Sequence, residues 1–391
     1  MILLPLFLLA LASTGVVSGT AFTYNLTITL VNGNESFLPN SPNPYYYLLN
    51  QYAFPNSTTQ TSIIQSVLLD GSPAAWVMNS DSDGNPMISI LTNQTLEPYQ
   101  NATIELSFSL YLRPVVMNLS GIGNISEIPS SMVEEFPLTG SYNLSQMPNA
   151  SQIVATALAI KGDDQNTLTV VLDMLQWFQD NMVYASKYPY PQNVSQTFST
   201  LSGDCDDQAN LFVTFCRILG IPAYTTIGPI YLPGNVVETD SNMVFNLNNV
   251  GWHGWAMVYL PNNSGGEWVP VDLTFFSGAQ EQDGHILSGN LLQHITSSAF
   301  ASYDTAQYVN IKNIDYISDS VAQRSVLISS NITWIESHDM VLVSQNVPIT
   351  TQIYENLGLI LTLFSLLSIF FFSWGQLRRR SPHGSRHPAP S

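Results

Sequence analysis

Residues 203–223 read Gly203-Asp204-Cys205-Asp206-Asp207-Gln208-Ala209-Asn210-Leu211-Phe212-Val213-Thr214-Phe215-Cys216-Arg217-Ile218-Leu219-Gly220-Ile221-Pro222-Ala223, and the fold turns on this stretch. Leu211, Phe212, Phe215, Ile218 and Leu219 recur at three- and four-residue spacings, which predicts a helix from Cys205 or Asp206 to Leu219 that Gly220 stops. Cys205 then sits at the N-terminal end, where the partial positive charge of the helix favours a thiolate. Cys216 lies among Phe212, Phe215 and Leu219 on the packing face and reads as an inert buried thiol. On one helix these two cysteines are roughly 16 Å apart at ~1.5 Å rise per residue, beyond the ~7 Å reach of a disulfide. Asp204, Asp206 and Asp207 crowd the same helix end. Two readings stay open for them: they oppose a thiolate at neutral pH and favour working in acid, or they cap the helix and suit its dipole.

Downstream, Trp252 to Leu260 and Glu267 to Thr274 are predicted strands joined by Pro261 to Gly266, whose Asn, Ser and Gly residues are turn chemistry. Alternation puts His253, Trp255, Met257 and Tyr259 on one face of the first strand, and Trp268, Pro270 and Asp272 on one face of the second. With the turn near Asn263 and Ser264, His253 and Asp272 come within a residue or two of facing each other. A thiol, an imidazole and an acceptor that orients the imidazole are the parts of a cysteine nucleophile site.

Four blocks now stand in order: Gly203-Asp204-Cys205-Asp206-Asp207, Arg217-Ile218-Leu219-Gly220-Ile221-Pro222-Ala223, His253-Gly254-Trp255-Ala256 and Trp268-Val269-Pro270-Val271-Asp272-Leu273-Thr274. In sequence and spacing they resemble the motifs of the transglutaminase-like superfamily, from about Ile153 to Phe276, including an upstream helix with Trp177, Asn181 and Tyr184. The resemblance implies a papain-like core with Cys205 as nucleophile, His253 as base and Asp272 as orienting acid. The family often carries Arg after Ile-Pro-Ala. Tyr224 stands there in this chain, which bears on ion pairing or substrate contacts at that point and not on the triad. The backbone N–H of Cys205 is a candidate oxyanion donor. No residues match the calcium sites of animal transglutaminases, and His285, His294 and His338 lack ligand spacing and read as ordinary polar residues, so no metal or cofactor is assigned.

Around this core the chain of 391 residues has room for more than one domain. Residues 1–20 read as a signal peptide, an apolar run followed by small residues, with cleavage expected between Ser18 and Ala21; no Lys or Arg precedes the run, so an uncleaved anchor is the alternative. Residues 21–114 hold short alternating runs, among them Thr23 to Leu30, Thr61 to Leu69, Met87 to Leu91 and Thr103 to Leu112, and read as a small antiparallel β-sandwich. Residues 115–151 read as a linker. The catalytic domain and a membrane-proximal segment occupy 152–355, with helical periodicity clearest from Leu168 to Val183 and further strands suggested at Tyr308 to Tyr316 and Val326 to Trp334. The expected class is therefore α+β, a papain-like core behind a β-sandwich, with a transmembrane helix at 356–377 and a cytoplasmic tail at 378–391. Leu357 to Trp374 is long and apolar enough to span a bilayer, and Arg378, Arg379 and Arg380 follow it, which places the C-terminus inside.

Six basic side chains precede the apolar segment against all 28 acidic ones, a balance of −22. Such a surface repels nucleic acid and anionic lipid, so both are discounted as partners. Twelve Asn-X-Ser/Thr sequons run from Asn25 to Asn331 and none lies in the tail, which suits a glycosylated exterior. Two cysteines are too few for a secreted disulfide framework. The expected function is a cell-surface thiol hydrolase acting on a protein or peptide through an acyl-enzyme on Cys205. Protein-glutamine acyl transfer, or a non-catalytic surface binding module that keeps the fold, are the alternatives.

Overall fold

Alternation along Thr20–Asn32 is strict: Phe22, Tyr24, Leu26, Ile28 and Leu30 are buried and the residues between them are not. This is the period-2 signature of a strand with one face on a core. In the computed structural model, which describes residues 19–33, 44–185 and 191–345, that strand pairs antiparallel with Asn101–Leu112 from Thr20↔Leu112 to Val31↔Asn101. Gln60–Leu69 adds to the other side of Asn101–Leu112. A second, three-stranded sheet of Asn50–Tyr52, Pro86–Ile90 and Trp76–Ser80 contributes Ile88 and Ile90 to the same core as Phe22 and Phe108. The β-rich N-terminal region thus has two sheets around one core.

Its larger sheet does not end there. Thr20–Asn32 lies beside Ile332–Gln345, which pairs in parallel with Met243–Leu260, so nine strands form one sheet running from the N-terminal region into the core. Asp83 fastens the two regions a second time, because its carboxylate accepts from the N–H groups of Lys312, Asn313 and Ile314 at 2.7, 2.9 and 3.1 Å. Residues Thr20–Ser344 accordingly form one compact unit. The stretch 115–151, expected as connection, holds a short helix, Ser130–Glu135, and several 3-10 turns.

The helical layer consists of Ala150–Lys161, Thr167–Asn181, Val194–Thr200 and Cys205–Ile218. The last is buried on nearly all sides from Asp207 to Arg217. It ends as predicted: Gly220 takes φ +77°, its N–H reaches the carbonyl of Arg217 at 3.1 Å, and that of Ile221 reaches the carbonyl of Cys216 at 2.9 Å. This double bond pattern over a left-handed glycine satisfies the last carbonyls of a helix. Arg217 is buried, stacks over the Tyr142 ring and donates to the carbonyls of Ala223, Pro137 and Lys312, so it holds the start of the next strand in place.

Beyond the helix, Ala223–Asp240 and Met243–Leu260 make one long hairpin, of which only Trp252 to Leu260 was expected as strand. Two further expectations are corrected. Tyr308 to Tyr316 is strand only over Val309–Ile311, and of Val326 to Trp334 the first four residues belong to the helix Tyr316–Ser329 while only Ile332 to Trp334 are strand. Asp315 caps that helix by accepting from Ser318 N–H at 3.2 Å. The segments expected as transmembrane helix (356–377), tail (378–391) and signal peptide (1–20, save its last two residues) lie outside the described residues. No helix among the described residues is long and apolar enough to cross a membrane.

Candidate active site

Cys205 is the first residue of its helix, as predicted, and is partly exposed, whereas Cys216 is fully buried in the core among Phe212 and Phe215; both thiols are free. The predicted hairpin also forms, with Ala256↔Val271 and Leu260↔Glu267 in register. That register sets Asp272 two positions from His253 along the ladder. His253 Nε2 and Asp272 Oδ2 are 2.8 Å apart, with the two side chains 5% and 0% exposed. Contact between the hairpin and the helix start is equally close. A Cβ built on Gly254 would lie 2.7 Å from Asp206 Cβ, so only glycine lets the His253 strand approach the Cys205 turn this nearly. With Nε2 bound to Asp272, the remaining ring nitrogen, Nδ1, is the one left for a thiol.

Asp272 is held from every side. Its Oδ1 accepts from the N–H groups of Thr274 at 3.1 Å and Phe275 at 2.9 Å, and Oδ2 accepts from Ala299 N–H at 3.0 Å besides the imidazole. Its backbone is clamped by His294, which accepts from Asp272 N–H at 2.8 Å through its carbonyl and meets the Asp272 carbonyl through Nδ1 at 2.5 Å. The Gln179 amide nitrogen lies 2.6 Å from His294 Nε2. An amide N–H there makes Nε2 an acceptor and leaves the proton on Nδ1, a neutral imidazole that burial also favours by lowering its pKa. His294 is thus a buried support of the Asp272 backbone and not the ordinary polar residue expected. Nothing in its spacing singles it out, because it acts through backbone atoms of a residue 22 positions away. His253 is itself enclosed by aromatic rings: Trp255 stacks on it at 6.0 Å and 20°, and Phe275 meets it edge-on at 5.8 Å.

The three aspartates divide their roles. Asp207 Oδ2 accepts from Asp204 N–H at 3.3 Å, and its two oxygens take the Gln192 backbone and side-chain N–H groups at 2.6 Å each, so it is a structural cap. Asp206 Oδ2 accepts from the Tyr316 hydroxyl at 2.6 Å. Asp204 is the N-cap residue and closes a capping box with Asp207, its side chain taking the Asp207 N–H, while its Oδ1 is buried without a partner. Burial first, then the charge and hydrogen bond of Asp206, push its pKa up to about 9, and burial with Asp206 beside it raises Asp207 to about 6. The Cys205 thiol is pushed well above its ordinary value by burial, then by Asp206 and Asp204, while the Gly254 N–H acts in the opposite sense. Asp204 and Asp207 thus cap the helix, while Asp206 and Asp204 oppose a thiolate at Cys205. The ligating atoms of Asp204, Cys205 and Asp206 lie within 4.8 Å of one another, the one such grouping among the described residues, and Asp206 already spends an oxygen on Tyr316.

A stability prediction follows from Asp204. A carboxyl whose pKa is raised by folding holds its proton in the folded chain where the unfolded chain has lost it, so its contribution is full below the unfolded value near ~4 and is lost as pH rises through about 9. Asp207 acts in the same sense, with its window closing at about 6. The urea midpoint of the wild type is expected to fall from pH 5 to pH 9, and that of Asp204→Asn to fall less. Parallel slopes for the two proteins would show that Asp204 titrates as it does in the unfolded chain.

A cleft of about 670 Å³ opens over this helix start, lined by Cys205, Asp204 and Tyr184 on one side and by Leu232, Val236 and Leu247 of the long hairpin on the other. Residues 154–273 match the family model described as the transglutaminase-like superfamily. That stretch, which carries Cys205, His253 and Asp272, is a transglutaminase-like core domain. Among solved structures, a candidate cysteine protease from Cytophaga hutchinsonii is similar over 84% of this chain and 93% of its own, with 14% identity and a TM-score of 0.50. The periplasmic domain of TgpA from Pseudomonas aeruginosa aligns over 69% of this chain and 93% of its own at 18% identity, with a TM-score of 0.30. Only the first is near enough in shape to speak for a shared fold. No curated protein sequence matches the chain.

Proposed function

We propose that this protein is an extracellular, membrane-tethered thiol hydrolase that cleaves peptide or amide bonds through an acyl-enzyme on Cys205. The observation that carries the reading is the buried 2.8 Å bond between His253 and Asp272, on the strand whose Gly254 packs against the Cys205 turn. Tethering is supported by the apolar run from Leu357 to Trp374 with Arg378, Arg379 and Arg380 behind it. In the first half-reaction His253 takes the Cys205 proton on Nδ1, the thiolate sulfur bonds to the substrate carbonyl carbon, and the developing oxyanion is received by the N–H of Cys205, which at the first helical position has no acceptor within the helix. The imidazolium then gives its proton to the leaving nitrogen as the C–N bond breaks. In the second, His253 takes a proton from water, the hydroxyl oxygen bonds to the thioester carbon, and the C–S bond breaks to release a carboxylic acid and return the thiol. Asp272 keeps the ring oriented and balances the imidazolium throughout.

The test uses intact cells expressing the full chain, given casein outside with and without a primary amine. Casein fragments are expected in the medium, and their release is expected to stop with a thiol-blocking reagent. Amine incorporation without fragments would assign acyl transfer instead. Activity seen only after lysis would reverse the orientation.

A further inference from the structure

The outer edge of the hairpin strand Ala223–Asp240 changes character along its length. Thr225, Thr226 and Ile227 pair there with Ile311, Asn310 and Val309, Ile230 bridges to Thr305, and the Tyr231 N–H donates to the Asp304 carbonyl at 2.9 Å. From Leu232 onward no strand pairs with that edge among the described residues, while the inner edge stays paired with Met243–Leu260 from Asn235↔Asn248 to Asp240↔Met243. An unpaired edge is a template for another chain, and folded proteins usually blunt one with charge, proline or cover. Here Pro233, Glu238 and Asp240 are interspersed with exposed apolar side chains: Leu232, Val236 and Val237 are 38%, 51% and 67% exposed. Pro233 removes one donor and Gly234 N–H is taken by Asn249 Oδ1 at 3.1 Å, which leaves Asn235 to Asp240 as the open part.

Alternation tells which backbone groups face out. The turn is the two residues Ser241-Asn242, so the closing pair Asp240 and Met243 exchanges both hydrogen bonds across the hairpin. Counting back by twos, Glu238 and Val236 also point their N–H and C=O inward, and Thr239, Val237 and Asn235 point theirs outward. The side chains of Val236 and Glu238 line the same cleft as Cys205. A free ladder of three residues thus borders the cleft that holds the nucleophile.

We propose that this edge binds the substrate by strand addition: the substrate is an unstructured polypeptide that lies extended along Asn235, Val237 and Thr239, with apolar side chains at alternate positions over the Val236–Leu247 row, and leads its scissile carbonyl to Cys205. This deepens the hydrolase reading and rests on it. Main-chain pairing supplies affinity with little sequence preference, and the apolar row supplies selection at alternate positions.

The test measures binding apart from turnover. Full-length Cys205→Ala is titrated with fluorescein-labelled β-casein, an unstructured polypeptide, and hydrogen exchange of segment 234–240 is followed with and without casein. Casein is expected to bind and to slow exchange at about three amides of that segment, the outward ones. Val237→Pro in the same background deletes one outward donor and none of the inner ladder, because proline is tolerated where its missing N–H faces solvent. It is expected to weaken casein binding roughly 3- to 10-fold, the worth of one hydrogen bond, with inner amides as slow as before. Val237→Ala, which keeps the N–H, is expected to weaken binding less than Val237→Pro does. Casein that binds without protecting 234–240, equal affinity of Val237→Pro, or no binding of casein at all would each overturn the proposal. Loss of wild-type hydrolysis with binding and protection intact would instead count against the hydrolase reading alone.

Discussion

Cys205→Ala is expected to abolish casein hydrolysis, a loss on the order of 10⁴-fold or more in kcat, because every bond change passes through its sulfur. Cys216→Ala is the matched control. Its sulfur is buried in the helix core, and burial pushes that thiol far up, so it neither reaches substrate nor ionises. Removing it leaves a small apolar gap that costs about 1 kcal/mol of stability and leaves most of kcat. The check is kcat for both variants beside their urea midpoints. Comparable loss of kcat in the two would sink the assignment of Cys205.

Asp272→Asn is expected to lower kcat by about 10³- to 10⁴-fold and the melting temperature as well. The carboxylate takes three backbone N–H groups and the imidazole on its two oxygens. An amide in its place turns an NH₂ group toward N–H donors, whichever way it is set. Either Thr274 and Phe275 or His253 and Ala299 lose their acceptor, and a buried donor left unmet costs roughly 1–3 kcal/mol. If the amide faces His253, the imidazole must accept at Nε2 and place its proton on Nδ1, where it can no longer take one from the thiol. Kinetics at a temperature well below the variant's melting point separate the two effects. Full kcat in a folded Asp272→Asn would remove Asp272 from the mechanism.

The parts of the site that the sequence made legible are local. The helix from Cys205, its glycine stop, and the hairpin that brings His253 near Asp272 each follow from periodicity and turn chemistry within about twenty residues. What stayed hidden is non-local. His294 supports Asp272 through backbone atoms, and no side-chain pattern marks such a contact. The parallel pairing of Met243–Asn248 with Trp334–Asp339 spans some ninety residues, and the same strand lies beside Thr20–Asn32, which joins two regions read as separate domains. The arm from Ala223 to Asp240, for which no strand was expected, contains Pro229, Pro233 and two glycines, residues that interrupt strand patterns, yet pairing with Met243–Leu260 around a bulge makes it strand. Val326 to Trp334 is right only from Ile332, for another reason: the apolar residues before it suit a short strand or a helix turn equally, and the helix capped at Asp315 runs up to Ser329. The aspartates were legible as a cluster but not as individuals, since Gln192 and Tyr316, which bind Asp207 and Asp206, come from other elements.

The acyl-enzyme itself is open to direct observation. Wild-type protein mixed with β-casein is quenched in acid within the first turnovers, digested, and the Cys205 peptide is weighed by mass spectrometry. The expected spectrum shows that peptide joined through its sulfur to the carbonyl carbon of a casein fragment, heavier by that fragment's mass less one water, and the adduct is absent when iodoacetamide is added first. An unmodified Cys205 peptide in a mixture that is turning over, with turnover that survives iodoacetamide, would contradict a thioester on Cys205.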